Sequence, residues 1–143
     1  MSDQFGPKRP LGVTIVAALA IIAGAFDIIG GIALLATASD PTVADAFGGA
    51  GIVTTVAIME IALGIIMLVI AFGLLRGNAV SRIAATVVQV ISLAGSIWIG
   101  IAQPATLATE IVSALIALAI LMLLWSGEAT RYFKGLAPDQ PTS

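Results

Sequence analysis

Four long apolar runs separated by short polar breaks account for most of the chain: Leu11 to about Ala36, Ile52 to Leu75, Ile83 to about Ala102, and Leu107 to about Trp125. At about 1.5 Å of rise per residue the second run reaches roughly 36 Å, more than the ~30 Å hydrocarbon core of a bilayer. It therefore predicts a helix that crosses with some tilt. The third helix is expected to begin near Ala79 and to enter the apolar layer after Arg82. Arg76-Gly77-Asn78 and Gln103-Pro104-Ala105-Thr106 read as tight turns, because Gly and Asn tolerate positive φ and Pro interrupts a helix. Short links force neighbouring helices to alternate in direction. The expected fold is all-α, an integral membrane bundle of four antiparallel transmembrane helices forming a single domain over residues 1–143.

The breaks add detail. Asp40 before Pro41 reads as an N-cap followed by Pro at the first helical position, which predicts a short surface helix from Pro41 to Phe47. Residues 1–10 read as a short disordered lead. A cleaved signal peptide is the competing reading of the first run, since it follows Lys8 and Arg9 and ends in Ala36-Thr37-Ala38. A signal core is only roughly 7 to 15 residues long, so an uncleaved anchor is favoured. At the other end, Trp125, Arg131, Tyr132, Phe133 and Lys134 mix aromatic and basic groups, as the headgroup region favours, and predict an interfacial anchor before a frayed tail from Pro138 to Ser143.

Composition strengthens the membrane reading. Hydrophobic residues make up 59 % of the chain and charged ones 10 %, whereas about a quarter of a soluble domain is charged. The six basic residues, Lys8, Arg9, Arg76, Arg82, Arg131 and Lys134, all fall on one side of a four-crossing arrangement. The opposite loops hold none, so the positive-inside rule puts both termini in the cytoplasm. Six cations spread this way are too few for a nucleic-acid footprint. The chain has no Cys and no His, which removes thiolate nucleophiles, sulfur metal sites and the commonest general base. No enzyme activity, metal or cofactor is expected; the expected partners are the lipid bilayer and a second copy or another membrane protein.

Each run carries one strongly polar side chain: Asp27, Glu60, Gln89 and Glu110. With helix midpoints near Gly24, Leu63, Ser92 and Leu115, Asp27 and Glu60 each lie ~5 Å to the outer side of the midplane, level with each other. Glu110 lies further out on that side and Gln89 slightly inward. Helical spacing places Asp27 with Ala20, Ala23, Gly24, Gly30 and Gly31, opposite a bulky face of Ile15, Leu19, Ile22, Phe26 and Ile29. Glu60 shares a stripe with Val56, Ala57 and Gly64, Gln89 with Ala85, Thr86, Ser92 and Ser96, and Glu110 with Ser113 and Ala114. Small residues mark helix interfaces, so all four polar groups are expected to face inward, with Gly24, Gly30, Gly31, Gly64, Ser92 and Ser96 as packing positions. Asp27-Ile28 with Gly31, Glu60-Ile61 with Gly64, and Glu110-Ile111 with Ala114 form a short internal echo.

An acidic residue near a helix centre costs ~2.5 to 3.5 kcal/mol on insertion, against a gain of about 0.3 to 0.6 for each Leu, Ile, Val or Phe. The run around Glu60 has fourteen of these, so it still inserts. No Lys, Arg or His lies inside an embedded run, so Asp27 and Glu60 are expected as neutral carboxyls sharing hydrogen bonds. They then either fix helix register or form a proton or cation site. Glu110, in the first turns of its helix, suits the helix dipole and reaches water, and Gln89 with Ser92 and Ser96 reads as interhelical hydrogen bonding.

The opening Arg9-Pro10-Leu11-Gly12-Val13-Thr14, the link Gly73-Leu74-Leu75-Arg76-Gly77 with Arg82, and the close Arg131-Tyr132-Phe133 resemble a broad group of small uncharacterised bacterial four-helix membrane proteins. The resemblance covers nearly the whole chain. It departs where members often carry Trp just after the turn between the second and third long helices and this chain has Ala79 and Val80. It implies a multi-pass protein of the bacterial plasma membrane and transfers no site residues. The small multidrug transporters also have four helices and an intramembrane Glu, but theirs lies in the first helix, where Asp27 stands here. The leading expectation is a structural, accessory or assembly role; the alternative is a proton- or cation-linked transporter or channel using the intramembrane carboxyls.

Overall fold

The computed structural model describes residues 8–136. The lead before residue 8 and the tail from Pro138 to Ser143 lie outside the described residues. Six helices follow in order: α1 (Leu11–Ala36), α2 (Pro41–Phe47), α3 (Ala50–Leu75), α4 (Ala79–Ala102), α5 (Leu107–Leu124) and α6 (Gly127–Phe133), with one 3-10 turn at Pro104–Thr106. No strand occurs among the described residues. By length and composition four helices could cross a membrane: α1, α3, α4 and α5 with its preceding 3-10 turn. The chain falls into two compact units, one of Ala18–Ala71 and the other of the segment up to Ala17 together with Phe72 onward.

In the first unit α2 is the predicted surface helix, held by its ends rather than by burial. The Asp40 carboxylate accepts the Thr42 amide at 2.8 Å, and no α2 residue is buried. Gly48 closes it at φ 89°, a left-handed conformation that glycine reaches without steric cost. α3 starts at Ala50, two residues before the apolar run, because Gly49 supplies the first turn's carbonyl acceptor for Ile52 and Val53.

In the second unit α4 and α5 form a hairpin across the Pro104–Thr106 turn. α4 opens on Asn78, whose side chain accepts the Val80 amide at 2.8 Å. The turn before it needs Gly77: its φ is 74°, and a Cβ there would come within 3.3 Å of the Tyr132 ring. α6 is capped by Ser126, with Glu128 in its first turn and Arg131 in its last, both suited to the helix dipole. Its buried residues, Ala129, Tyr132 and Phe133, share one face. The segment read as an interfacial anchor thus packs its aromatic residues against its own chain, while Trp125 stays 51 % exposed.

Candidate functional site

The two acids within the long apolar helices of the first unit, Asp27 and Glu60, stand at a close crossing of α1 and α3. A Cβ added at Gly24 would lie 2.7 Å from the Gly64 carbonyl oxygen, and one at Gly31 would lie 2.7 Å from that of Ala57. Real Cβ atoms are not found so near a backbone oxygen, so the helices meet backbone to backbone. Residue numbers rise along α1 as they fall along α3, and midway between the two contacts come Asp27–Ile28 and Glu60–Ile61. The two acids are therefore level to within about one residue, ~1.5 Å of rise.

The contacts repeat. A Cβ at Gly31 would meet the Ala57 oxygen at 2.7 Å and the Ile61 nitrogen at 3.1 Å; a Cβ at Gly64 would meet the Gly24 oxygen at 2.5 Å and the Ile28 nitrogen at 3.0 Å. A local two-fold perpendicular to the helix pair relates these sets. It exchanges Asp27 with Glu60 and brings both carboxyls out on one side of the pair. This is the physical content of the first two copies of the internal echo; the third, at Glu110, lies in the other unit.

Both acids are half-buried. Glu60 reaches over the opposing helix, its Oε2 lying 3.5 Å from where a Gly30 Cβ would be, an ordinary contact distance. The expected hydrogen bond between the carboxyls is not formed: among the described residues neither side chain has a hydrogen-bond partner. Of the packing glycines, Gly24, Gly31 and Gly64 are buried and Gly30 is exposed, while Ile15, Leu19, Ile22, Phe26 and Ile29 are exposed as the spacing predicts.

Gln89 and Glu110 belong to the second unit and are also half-buried. Glu110 lies beside Gly100, its Cβ 3.5 Å from where a Cβ at position 100 would stand, and helps line a groove of about 220 Å3 with Ser96, Leu107 and Ala114. The buried positions of α4 are Arg82, Ala85, Ser96 and Gly100. Ser96, one of the expected packing positions, is buried. Ser92 is not; it is exposed, off this stripe by about 100° from the half-buried position 93.

The most connected polar cluster is one that sequence reasoning missed. Arg82 is only 7 % exposed. Its Nε donates to the Leu124 carbonyl at 2.9 Å and its Nη2 to Thr130 Oγ1 at 2.8 Å. The guanidinium lies over the Trp125 ring, 3.8 Å from its centroid, with the Phe133 ring at 5.2 Å. Trp125 Nε1 donates to Thr86 Oγ1 at 2.9 Å, and that hydroxyl donates to the Arg82 carbonyl at 2.8 Å, closing the ring of contacts. Nearby in the chain's connectivity, the Leu75 carbonyl accepts from Tyr132 Oη at 2.6 Å and from Arg9 Nη1 at 3.2 Å. Burial pushes the Tyr132 hydroxyl pKa up, and Arg9 partly offsets this. A cavity of about 240 Å3 in the same unit is lined by Lys8, Pro10, Glu128, Arg131 and Leu136. Among the described residues no group of His, Cys, Asp and Glu is placed to hold a metal ion.

These features define an all-helical protein with four helices apolar and long enough for a membrane and a polar cluster built on Arg82. The chain belongs to the DUF7144 family, described as a domain of unknown function, whose profile matches residues 12–128. No curated protein and no solved structure matches it.

Proposed function

We propose that the protein is a multi-pass membrane protein with four alternating crossings and cytoplasmic termini, acting as a structural or assembly component that binds a second copy of itself. The observation that carries this reading is the α1–α3 crossing. Backbone contact at Gly24, Gly31 and Gly64 makes a tight helix pair, and two level carboxyls leave it on one side, half-buried and without hydrogen-bond partners among the described residues. In lipid an unmet polar group is costly, and hydrogen bonding to another helix relieves that cost. The orientation is supported by the six cations, all in one unit, where Arg9, Leu75 and Tyr132 are joined through one carbonyl. The plasma membrane is the compartment this reading implies, and the absence of Cys and His supports a non-catalytic role.

A second reading, proton- or cation-linked transport, is favoured by one observation: α1 and α3 contain no Lys, Arg or His to pair with Asp27 and Glu60. Purified full-length protein separates the two. Light scattering in mild detergent is expected to give an oligomer that the Asp27→Ala/Glu60→Ala double variant weakens, while Asp27→Asn/Glu60→Gln retains it. Proton and potassium flux in liposomes should match empty vesicles. A monomeric wild type with flux abolished by the isosteric amides would overturn assembly in favour of transport.

A further inference from the structure

A buried arginine whose partners are all neutral is an unusual investment for a chain with so few charges. The guanidinium is permanently charged and offers five N–H donors. Two nitrogens of Arg82 are engaged, both by uncharged acceptors, and the Trp125 ring covers one face. The third nitrogen, Nη1, has no acceptor among the described residues. Yet among the described residues no buried side-chain nitrogen is left without a partner, so Nη1 must reach the surface. The protein ties this cation at two nitrogens, strips it of water over most of its area, and leaves Nη1 with access to the surface.

The surroundings indicate what that edge meets. All six basic residues belong to the same unit, and the aromatic platform, Trp125, is half exposed at a helix end, where amphipathic rings settle at headgroup level. Charge complementarity calls for an anion, and a fixed guanidinium edge matches phosphate oxygens better than an ammonium does. We propose that Arg82, held by Leu124, Thr130 and Trp125, is the recognition group for the phosphate of an anionic phospholipid. This rests on the membrane reading above, because the site takes its ligand from the bilayer. Arg82 Nη1 binds the phosphate, and Trp125 supplies the adjoining amphipathic surface.

The test uses the full chain in detergent. Phosphatidylglycerol is expected to raise the thermal midpoint by about 3 °C, whereas phosphatidylcholine and inorganic phosphate at equal concentration leave it unchanged. Arg82→Lys, which keeps the charge but loses the planar fork, should weaken the apparent affinity on the order of tenfold. Lys8→Gln and Arg76→Gln should not. A second measurement needs no variant: phosphatidylglycerol should slow modification of Arg82 by a dicarbonyl reagent several-fold relative to Arg76, read by peptide mass spectrometry. An equal response of Arg82→Lys and wild type, with no protection of Arg82, overturns the proposal. Loss of the response in Lys8→Gln moves the lipid to the cavity lined by Lys8 and Arg131 and also overturns it. An equal effect of inorganic phosphate makes this a free-anion site, against the lipid assignment. A chain that stays in solution without detergent defeats the membrane reading and this proposal together; one that needs detergent but ignores phosphatidylglycerol defeats only the proposal.

Discussion

The α1–α3 crossing and the Arg82 cluster hold their units together by opposite means. At the crossing, side chains are removed so that backbones can touch, and the polar groups present are left unbonded. In the Arg82 cluster, large polar and aromatic side chains fill the space and bond one another. The first arrangement depends on what glycine lacks, the second on what arginine and tryptophan carry. The crossing should therefore tolerate changes to its acids better than changes to its glycines, and the cluster should fail through lost contacts rather than through clashes.

The largest expected effect comes from filling the crossing. Gly64→Val would force atoms into the Gly24 carbonyl and Ile28, and should cost roughly 3 kcal/mol in detergent-unfolding measurements followed by circular dichroism. Gly95, with nothing within 4 Å of its Cβ position, is the control: Gly95→Ala should gain up to about 1 kcal/mol of helix propensity. Equal behaviour of the two would remove the contrast. Next comes Arg82→Met, which keeps bulk but gives up two hydrogen bonds and the ring contact; about 2 kcal/mol should be lost, with a shift in Trp125 fluorescence measured in a Trp98→Phe background.

A smaller effect sharpens the picture at Leu75. Tyr132 is the single tyrosine, so an absorbance titration reports it alone. Its pKa is raised by burial, so the folded state favours the neutral phenol. The resulting stability is present below the unfolded value of about 10 and is lost as pH rises through the higher folded value. Because Arg9 lowers the Tyr132 pKa, Arg9→Gln should move the titration further up; a downward move would contradict the shared-carbonyl geometry. The smallest effect is at Asp40, whose carboxylate is held below its ordinary range chiefly by the Thr42 amide. That cap is present above the unfolded value and is lost as pH falls through the folded one. Hydrogen exchange at Thr42 should speed up in acid, and Asp40→Asn should abolish that acid dependence.

The helices were readable because uninterrupted apolar runs of this length have few alternatives, and α2 was readable because Asp40-Pro41 is a local signal. The level placement of Asp27 and Glu60 followed from counting rise per residue. Their lack of a mutual hydrogen bond did not, since it depends on how closely Gly24 and Gly64 let the helices approach. Arg82 was read as marking the edge of a crossing, because an arginine at a helix start looks alike in sequence whether it reaches water or turns inward. What decides is α6, and Tyr132 and Phe133 carry the same composition whether they face lipid headgroups or their own chain. Ser92 is exposed for a simpler reason: helical spacing from Gln89 allows steps of three or four, and the buried face of α4 follows only one of them.

The carbonyl of Leu75 has a consequence for the order of biosynthesis. Its arginine donor lies 66 residues earlier and its tyrosine donor 57 residues later. At roughly 5 to 20 residues per second of synthesis, about 3 to 11 s pass between the making of Leu75 and of Tyr132. During that interval Arg9 can engage the carbonyl but Tyr132 cannot. Closure at this point is therefore a late event, completed only after α5 has been made, and a chain that stopped at Leu124 would carry every long helix while lacking the last fastening.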